Sequence, residues 1–215
     1  MSFLARSAAR IGTLVIAACG GGDAAPAVPA KGPPVAAIVA PSAPPTWVVP
    51  EGWRTETIPF PLGFAPGLPY RGIEELRFPK GFFEAGDDWY FSYAFIWYVL
   101  APGPADADAL ERDLVAYFQG LAVAVGGAGR ADIAAHAFSA DLEGDLSAGE
   151  VRGTVSAFDA FKAQAPVRLG VRVRGVPCSA AHERAYVFIA SPRPAGAGDA
   201  VWAELERVAA AFRCP

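Results

Sequence analysis

The sequence predicts an α+β fold, a mainly antiparallel sheet with two packed helices in a single domain, and three observations lead to this class. Segments with the two-residue periodicity of strands outnumber those with the 3.6-residue periodicity of helices. They follow one another in the order strands, helix, strands, helix. The connections between the later strands are short, and short connections join antiparallel neighbours because parallel strands need a longer crossover.

Two strands and a loop open the domain. Residues 54–60 alternate between polar and apolar, and Pro59 and Pro61 place this strand at a sheet edge or end it, since proline cannot donate to the ladder. Glycines and prolines punctuate residues 62–71 and predict a loop. Residues 72–78 then form the second strand.

The strongest strand pattern covers residues 88–100. Large apolar side chains occupy both alternating sets of positions there, for example Trp89 and Trp97 on one face and Tyr90 and Tyr98 on the other. A strand that is apolar on both faces is typical of the centre of a sheet, because only there is it covered on both sides.

Two helices are predicted from periodicity and end signals. The pair Asp108 and Glu111 resembles a capping box, and apolar residues then recur on one face until the glycines at 126–127 end the helix. The second helix covers residues 201–212, with Asp199 as its cap. Four further strands are predicted between the helices, at residues 133–142, 150–158, 167–175 and 184–190.

The N-terminus resembles the signal of bacterial lipoproteins. Two arginines precede an apolar run at residues 11–18 that is too short to span a bilayer, for which about 20 residues are needed. The segment Leu14 to Cys19 is similar to a lipobox. This resemblance implies a signal peptide at residues 1–18, acylation of Cys19 and attachment to a membrane through the acyl chains. Glycine at position 20 implies sorting to the outer membrane, facing the periplasm.

Composition separates a tether from a domain. Residues 19–46 are rich in glycine, alanine and proline, so they are predicted to be a disordered tether before a globular domain at 47–215. Loss of the signal's two arginines lowers the count of Lys+Arg from 18 to 16, against 22 Asp+Glu, which leaves a net charge of −6. This balance argues against a nucleic-acid partner, which needs a basic surface.

Two of the 3 cysteines lie in the predicted domain. Cys178 and Cys214 are predicted to form a disulfide, because exported chains fold in an oxidising compartment. Such a bond stabilises the fold by about 3–4 kcal/mol in the chain-entropy model. Two buried free thiols are the alternative; a redox-active pair is disfavoured, because no Cys-x-x-Cys spacing is present.

The first candidate site is a segment with many aromatic residues among glycines and prolines, at 53–83. Such loops can line a groove for a lipid or a peptide. The alternative is a long loop pinned to the core by its aromatic rings. The candidate ligand-binding residues are Phe60, Phe64, Tyr70, Arg71 and Glu74.

The second candidate is a basic strip. Arg168, Arg172 and Arg174 alternate along one predicted strand and share one face, which Arg152 joins if the neighbouring strand forms a hairpin with it. The strip could receive an acidic head group or an acidic protein surface. The alternative is an ordinary charged sheet face.

Catalytic and metal-binding patterns are weak. His136 and His182 are not spaced as metal ligands. A hydrolase triad could combine either histidine with Ser92 or Ser191, but only the presence of these residue types suggests it. The carboxylates of Asp141, Glu143 and Asp145 alternate and could offer oxygens to calcium, but leucine stands where an EF-hand needs glycine. The sequence therefore predicts no catalytic residue, no metal and no cofactor.

The interpretation that follows is a lipid-anchored envelope protein, a non-enzymatic binding or structural module. Its partners would be the membrane, through Cys19, and an envelope protein or lipid ligand. The alternative is an envelope hydrolase whose site is assembled from residues scattered along the chain.

Overall fold

Seven strands form an antiparallel sheet in the computed structural model, which describes residues 45–100, 102–178, 183–196 and 198–215. In chain order they are β1 (Arg54–Phe60), β2 (Gly72–Phe78), β3 (Tyr93–Leu100), β4 (Ser139–Asp145), β5 (Glu150–Asp159), β6 (Ala165–Pro177) and β7 (Glu183–Ser191). Their order across the sheet is β1-β2-β3-β7-β6-β5-β4. The edges are therefore β1 and β4.

Helices cover both faces of this sheet. The described residues contain α1 (Ala107–Gly126), the short α2 (Ala131–Ala135) and α3 (Ala200–Ala210). One core packs α1 against one sheet face, and a second core packs α3 against the other. The predicted α+β class, with a mainly antiparallel sheet in a single packed domain, is confirmed.

The central strand β3 has the position that its pattern predicts. Phe95 and Trp97 face the α1 core, whereas Ile96 and Tyr98 face the α3 core, and all four are at most 1% exposed. The strand begins at residue 93 and not at 88. The residues before it form tight turns, and Phe91 has a φ of 48°, which cannot continue a strand.

The N-cap of α1 differs from the prediction. Asp106 is the cap, and its carboxylate accepts a hydrogen bond from the backbone N–H of Ala109 at 2.8 Å. Glu111 does not close a capping box. Its Oε1 accepts from the backbone N–H of Leu142 at 2.6 Å, which ties α1 to β4. The predicted glycine at the other end is confirmed, because Gly127 is the C-cap with φ of 93°.

The strand predicted at residues 133–142 is partly wrong. Residues 131–135 form α2, and β4 begins only at Ser139. Ile133 suggested a strand by its spacing, but its side chain is buried by contact with Ala122, Phe158 and Ala160. A single buried residue can anchor a short helix as well as a strand, so the spacing did not distinguish them.

Both chain ends of the described region meet at α3. Asp199 caps this helix as predicted, accepting from the N–H groups of the next turn. Thr46 forms two backbone hydrogen bonds with Arg213, of 3.0 and 2.9 Å. The neighbouring Cys214 lies at disulfide distance from Cys178, with Cα atoms 5.3 Å apart. The predicted disulfide therefore joins the segment after α3 to the end of β6.

Candidate functional site

An apolar cleft opens between strands β1–β3 and helix α1, and we call it the aromatic cleft. Its cavity volume is about 250 Å³. Its walls include Ile58 and Phe78 from the strands, Phe64 and Phe82 from the loops, and Tyr117 and Leu121 from α1.

Regular periodicities bring most of these walls together. Ile58 and Phe78 face the α1 side of the sheet. Tyr117 and Leu121 are four residues apart, so they lie on one helix face. The loop at 62–68 reaches α1 at Gly120, where a Cβ atom would lie 2.1 Å from the carbonyl oxygen of Phe64. This close approach sets the Phe64 ring 5.1 Å from the Tyr117 ring, as an edge-to-face pair.

The mouth of the aromatic cleft lies at the last turns of α1. Ala124 and Val125 line it, and Val125 is 40% exposed. Glu56 of the edge strand β1 is the exposed carboxylate at this rim. The cleft therefore combines buried aromatic walls with an opening to solvent, which is typical of sites for small apolar ligands.

The structure divides the candidate residues of the aromatic loop. Phe64 lines the aromatic cleft. Phe60 and Tyr70 are buried in the core, where each packs against the ring of Trp97 at about 6 Å. Arg71 is exposed and does not line the cleft. A ligand-binding role for these residues stays a prediction.

Tyr70 connects this loop to α1. Its hydroxyl donates a hydrogen bond to the carboxylate of Asp113. Burial is the main cause that raises the pKa of Tyr70, and the carboxylate raises it further. Burial also raises the pKa of Asp113. The contact holds the loop closed over Trp97.

Glu74 is a carboxyl group within the aromatic core. It is 0% exposed, and the indole N–H of Trp97 donates to its Oε1 at 3.0 Å. The Tyr117 hydroxyl approaches closely enough to favour the ionised form, although no hydrogen bond of normal geometry reaches Oε2. Burial raises the pKa of Glu74 to about 7, against the effect of Trp97 and Tyr117, and the charge of Glu56 raises it further.

Sequence reasoning missed the part of the site that α1 supplies. The apolar stripe of this helix continues from Leu110 to Val125 without a break. Its first half is buried, whereas Val125 at its end is 40% exposed. The sequence did carry one signal of this part of the site, because the apolar stripe of α1 is longer than the sheet can cover. The aromatic ring of Phe161, in the turn after β5, also lines the cleft and carried no sequence signal.

The predicted basic strip lies on the sheet face away from α1. Arg172 pairs with Glu206 at 2.6 Å and stacks over the ring of Trp202. Arg168 donates to the hydroxyl of Thr154 at 2.9 Å.

The other two arginines have acidic neighbours. Arg174 lies opposite Glu150 in the β5–β6 register, and Arg152 lies 3.5 Å from Glu143. These neighbours favour an ordinary charged sheet face over a free basic strip.

The residues proposed for a catalytic triad are only partly brought together. Ser92 and Ser191 are 2.8 Å apart between hydroxyl oxygens, and both are completely buried. The hydrogen-bond partner of His136 is Ser156, at 3.3 Å. His182 lies outside the described residues, as does Cys19.

The acidic alternation of β4 leads into a turn. Asp145 accepts hydrogen bonds from the backbone and the hydroxyl of Ser147, each of 2.7 Å, and these bonds lower its pKa. Asp141 and Glu143 are exposed on β4. No group of three or more potential metal ligands occurs within the part of the chain that the structure describes.

A second groove, of about 660 Å³, lies beside Tyr186 and the turn between β4 and β5. Glycine, proline and alanine supply most of its wall. Its lining includes Pro102, Pro177 and Arg184, which in sequence flank residues 101 and 179–182, outside the described ranges. The aromatic cleft is therefore the better-defined site, although it is smaller.

Among the described helices, none is both long enough and apolar enough to cross a membrane. No protein-family model matches the chain, and no curated protein or solved structure is significantly similar to it.

Proposed function

We propose that this chain is a lipoprotein of the bacterial cell envelope and that its domain is a non-enzymatic binding module. The lipobox ending at Cys19 supports the anchor, and the Gly/Ala/Pro-rich residues 19–46 support a tether. The cysteine pair at disulfide distance fits a domain that folds in an oxidising compartment. The glycine after Cys19 favours the outer membrane, facing the periplasm.

The observation that carries a binding function is the aromatic cleft, which is open at the end of α1. An apolar cavity of about 150 Å³ holds a benzene molecule. At the same packing, the cleft's volume of about 250 Å³ takes roughly ten carbon atoms. That capacity fits one hydrocarbon chain and excludes the two chains of a diacyl lipid. The ligand proposed is therefore a single acyl chain of an envelope lipid.

The tether supports this assignment through proximity. A domain held to a membrane by a flexible linker meets the lipids of that membrane at a high effective concentration. Even a cleft with modest affinity would then be filled. The chain ends of the domain meet at α3, on the opposite sheet face from the cleft.

The test is lipid analysis of the protein purified from its own envelope. Ala124→Phe adds a ring at the mouth of the aromatic cleft, and we expect it to remove most of the co-purifying single-chain lipid. Val123→Phe is the matched control. Position 123 is the preceding residue on the same helix. Both positions border a shallow groove beside the loop at 63–67, but only Ala124 also lines the cleft. Mass spectrometry of the bound molecules measures the difference.

Two results would contradict the proposed function. Equal lipid capture by both variants would show that the cleft is not the binding site. Co-purification of a peptide, displaced by Ala124→Phe and not by Val123→Phe, would show that the cleft holds a protein partner instead.

A further inference from the structure

A buried carboxyl group lies directly behind the wall of the aromatic cleft. Tyr93 and Tyr117 line the cleft, and both interact electrostatically with Glu74. Glu74 is 0% exposed, and its Oε2 lacks a hydrogen bond of normal geometry. Buried carboxylates normally have a cation or several donors beside them. Glu74 therefore has an environment suited to a neutral group.

The groups that face Glu74 come from every element packed around it. The edge strand β1 contributes the negative charge of Glu56, and β3 contributes the Trp97 indole and the Tyr93 hydroxyl. Helix α1 contributes the Tyr117 hydroxyl.

Two further polar pairs lie near this cluster but serve other contacts. The Tyr70–Asp113 pair lies beyond the ring of Trp97. On β2 itself, Glu75 pairs with Arg77, at 2.9 Å, and both alternate to the other side of the strand from Glu74. No cationic side chain of the described residues is among the groups that act on the carboxyl of Glu74.

Occupation of the cleft must change this environment. An empty cleft that opens to solvent leaves polarisable water near the rings of Tyr93 and Tyr117. A hydrocarbon chain replaces that water and lowers the local dielectric constant, which penalises a charge behind the rings. Binding therefore favours the protonated form of Glu74, and by linkage the protonated form favours binding.

We propose that the protonation state of Glu74 controls how tightly the aromatic cleft holds its ligand, with the neutral carboxyl group holding it more tightly. The inference rests on the proposed function, because it concerns the same cleft. Its consequence is a binding module that holds a hydrocarbon chain more tightly in mildly acidic surroundings and more weakly as the pH rises through neutrality.

The experiment measures binding of 1-decanol, an uncharged ten-carbon probe, to the oxidised mature chain from residue 19 carrying Cys19→Ser, so that no detergent is needed. Isothermal titration calorimetry at pH 5.5 and pH 8.5 should give an affinity about fivefold higher at the lower pH. Glu74→Gln should bind with the same affinity at both values. Glu143→Gln, the same chemical change at an exposed carboxylate of β4 that does not line the cleft, should keep the pH dependence.

A second measurement needs no variant. Titrations of the wild-type domain near pH 7, in two buffers with different ionisation enthalpies, should show protons taken up when decanol binds. Zero proton uptake, or equal affinity at the two pH values, would overturn the role of Glu74 and leave the cleft as a binding site. Absence of decanol binding at both pH values would overturn the proposed cleft ligand as well.

Discussion

Gly120 shows how one absent side chain shapes the candidate site. Its Cα permits the loop at 62–68 to approach α1 so closely that a Cβ atom would lie 2.1 Å from the Phe64 carbonyl oxygen. We expect Gly120→Ala to destabilise the domain by about 1–3 kcal/mol, because the obstacle is backbone and not a flexible side chain. The better helix propensity of alanine contributes only about 1 kcal/mol, which is too small to make this substitution stabilising.

Chemical denaturation of the two proteins checks this value. Gly63→Ala is the matched control in the same loop, since no atom lies within 4 Å of a Cβ built there. Its effect should stay within about 0.5 kcal/mol. If both alanines were equally harmless, the contact between the loop and the helix would not be as tight as the structure shows.

Glu74 makes the stability of the domain depend on pH. In the unfolded chain it ionises near 4.5, whereas in the folded domain its pKa is about 7. Below 4.5 both states are protonated, so the group has no effect. Between these values the unfolded state loses its proton first, and stability falls as the pH rises. Above pH 7 the loss of unfolding free energy is complete and amounts to about 3 kcal/mol.

Glu74→Gln should remove this dependence. Unfolding free energies of the variant should fall less than those of the wild type between pH 5 and pH 8, because glutamine does not titrate. Glu143→Gln serves as the control for losing an exposed carboxylate of the same sheet. A wild-type stability that is constant between pH 5 and pH 8 would show that Glu74 is not held neutral.

At the scale of elements, the first turn of α1 offers a direct comparison of two caps. Asp106 accepts a hydrogen bond from the backbone N–H of Ala109 at 2.8 Å. We expect Asp106→Ala to cost about 1 kcal/mol of stability. Asp108→Ala should cost only a few tenths, since Asp108 acts only through the helix dipole. Thermal unfolding measures both, and the reverse order would restore the capping box that the sequence suggested.

The type of an element could be predicted where one periodicity dominated its sequence. It was uncertain where a single buried contact determined whether a helix or a strand forms. The double-sided pattern around Phe95 and Trp97 could only be a central strand. The region of Ile133 was ambiguous, since its burial depends on residues brought from α1 and β5. Phe91 also delayed the start of β3, through a backbone conformation that its side chain does not reveal.

The candidate site was predictable in part for the same reason. The excess of aromatic residues at 53–83 pointed to the segment that contributes Phe64 to the aromatic cleft. The opposite wall comes from α1, some 50 residues later in the chain, and periodicity cannot show which strands a helix covers. Burial of Phe60 and Tyr70 likewise depends on Trp97, which is far from both in sequence.

At the scale of the whole molecule, the anchor is the first property to test. We expect Cys19→Ser to abolish acyl labelling and to release the protein from membranes, because the resemblance to lipoproteins places the acyl chains on that thiol. Metabolic labelling with a fatty-acid analogue measures it. Cys214→Ser removes a different cysteine, one of the disulfide pair, and should leave labelling intact. Labelling that persists in the Cys19→Ser protein would contradict the proposed anchor.

The backbone pairing of Thr46 with Arg213 determines where mechanical load would enter the domain. A pull on the preceding chain is first resisted by these two hydrogen bonds and by Trp47, whose indole N–H donates to the carbonyl oxygen of Val208 at 2.8 Å. The segment that holds Thr46 is itself fixed to the end of β6 through Cys214 and Cys178. Tension is thereby shared with the interior of the sheet before it reaches β1, the edge strand that would otherwise be peeled away one residue at a time.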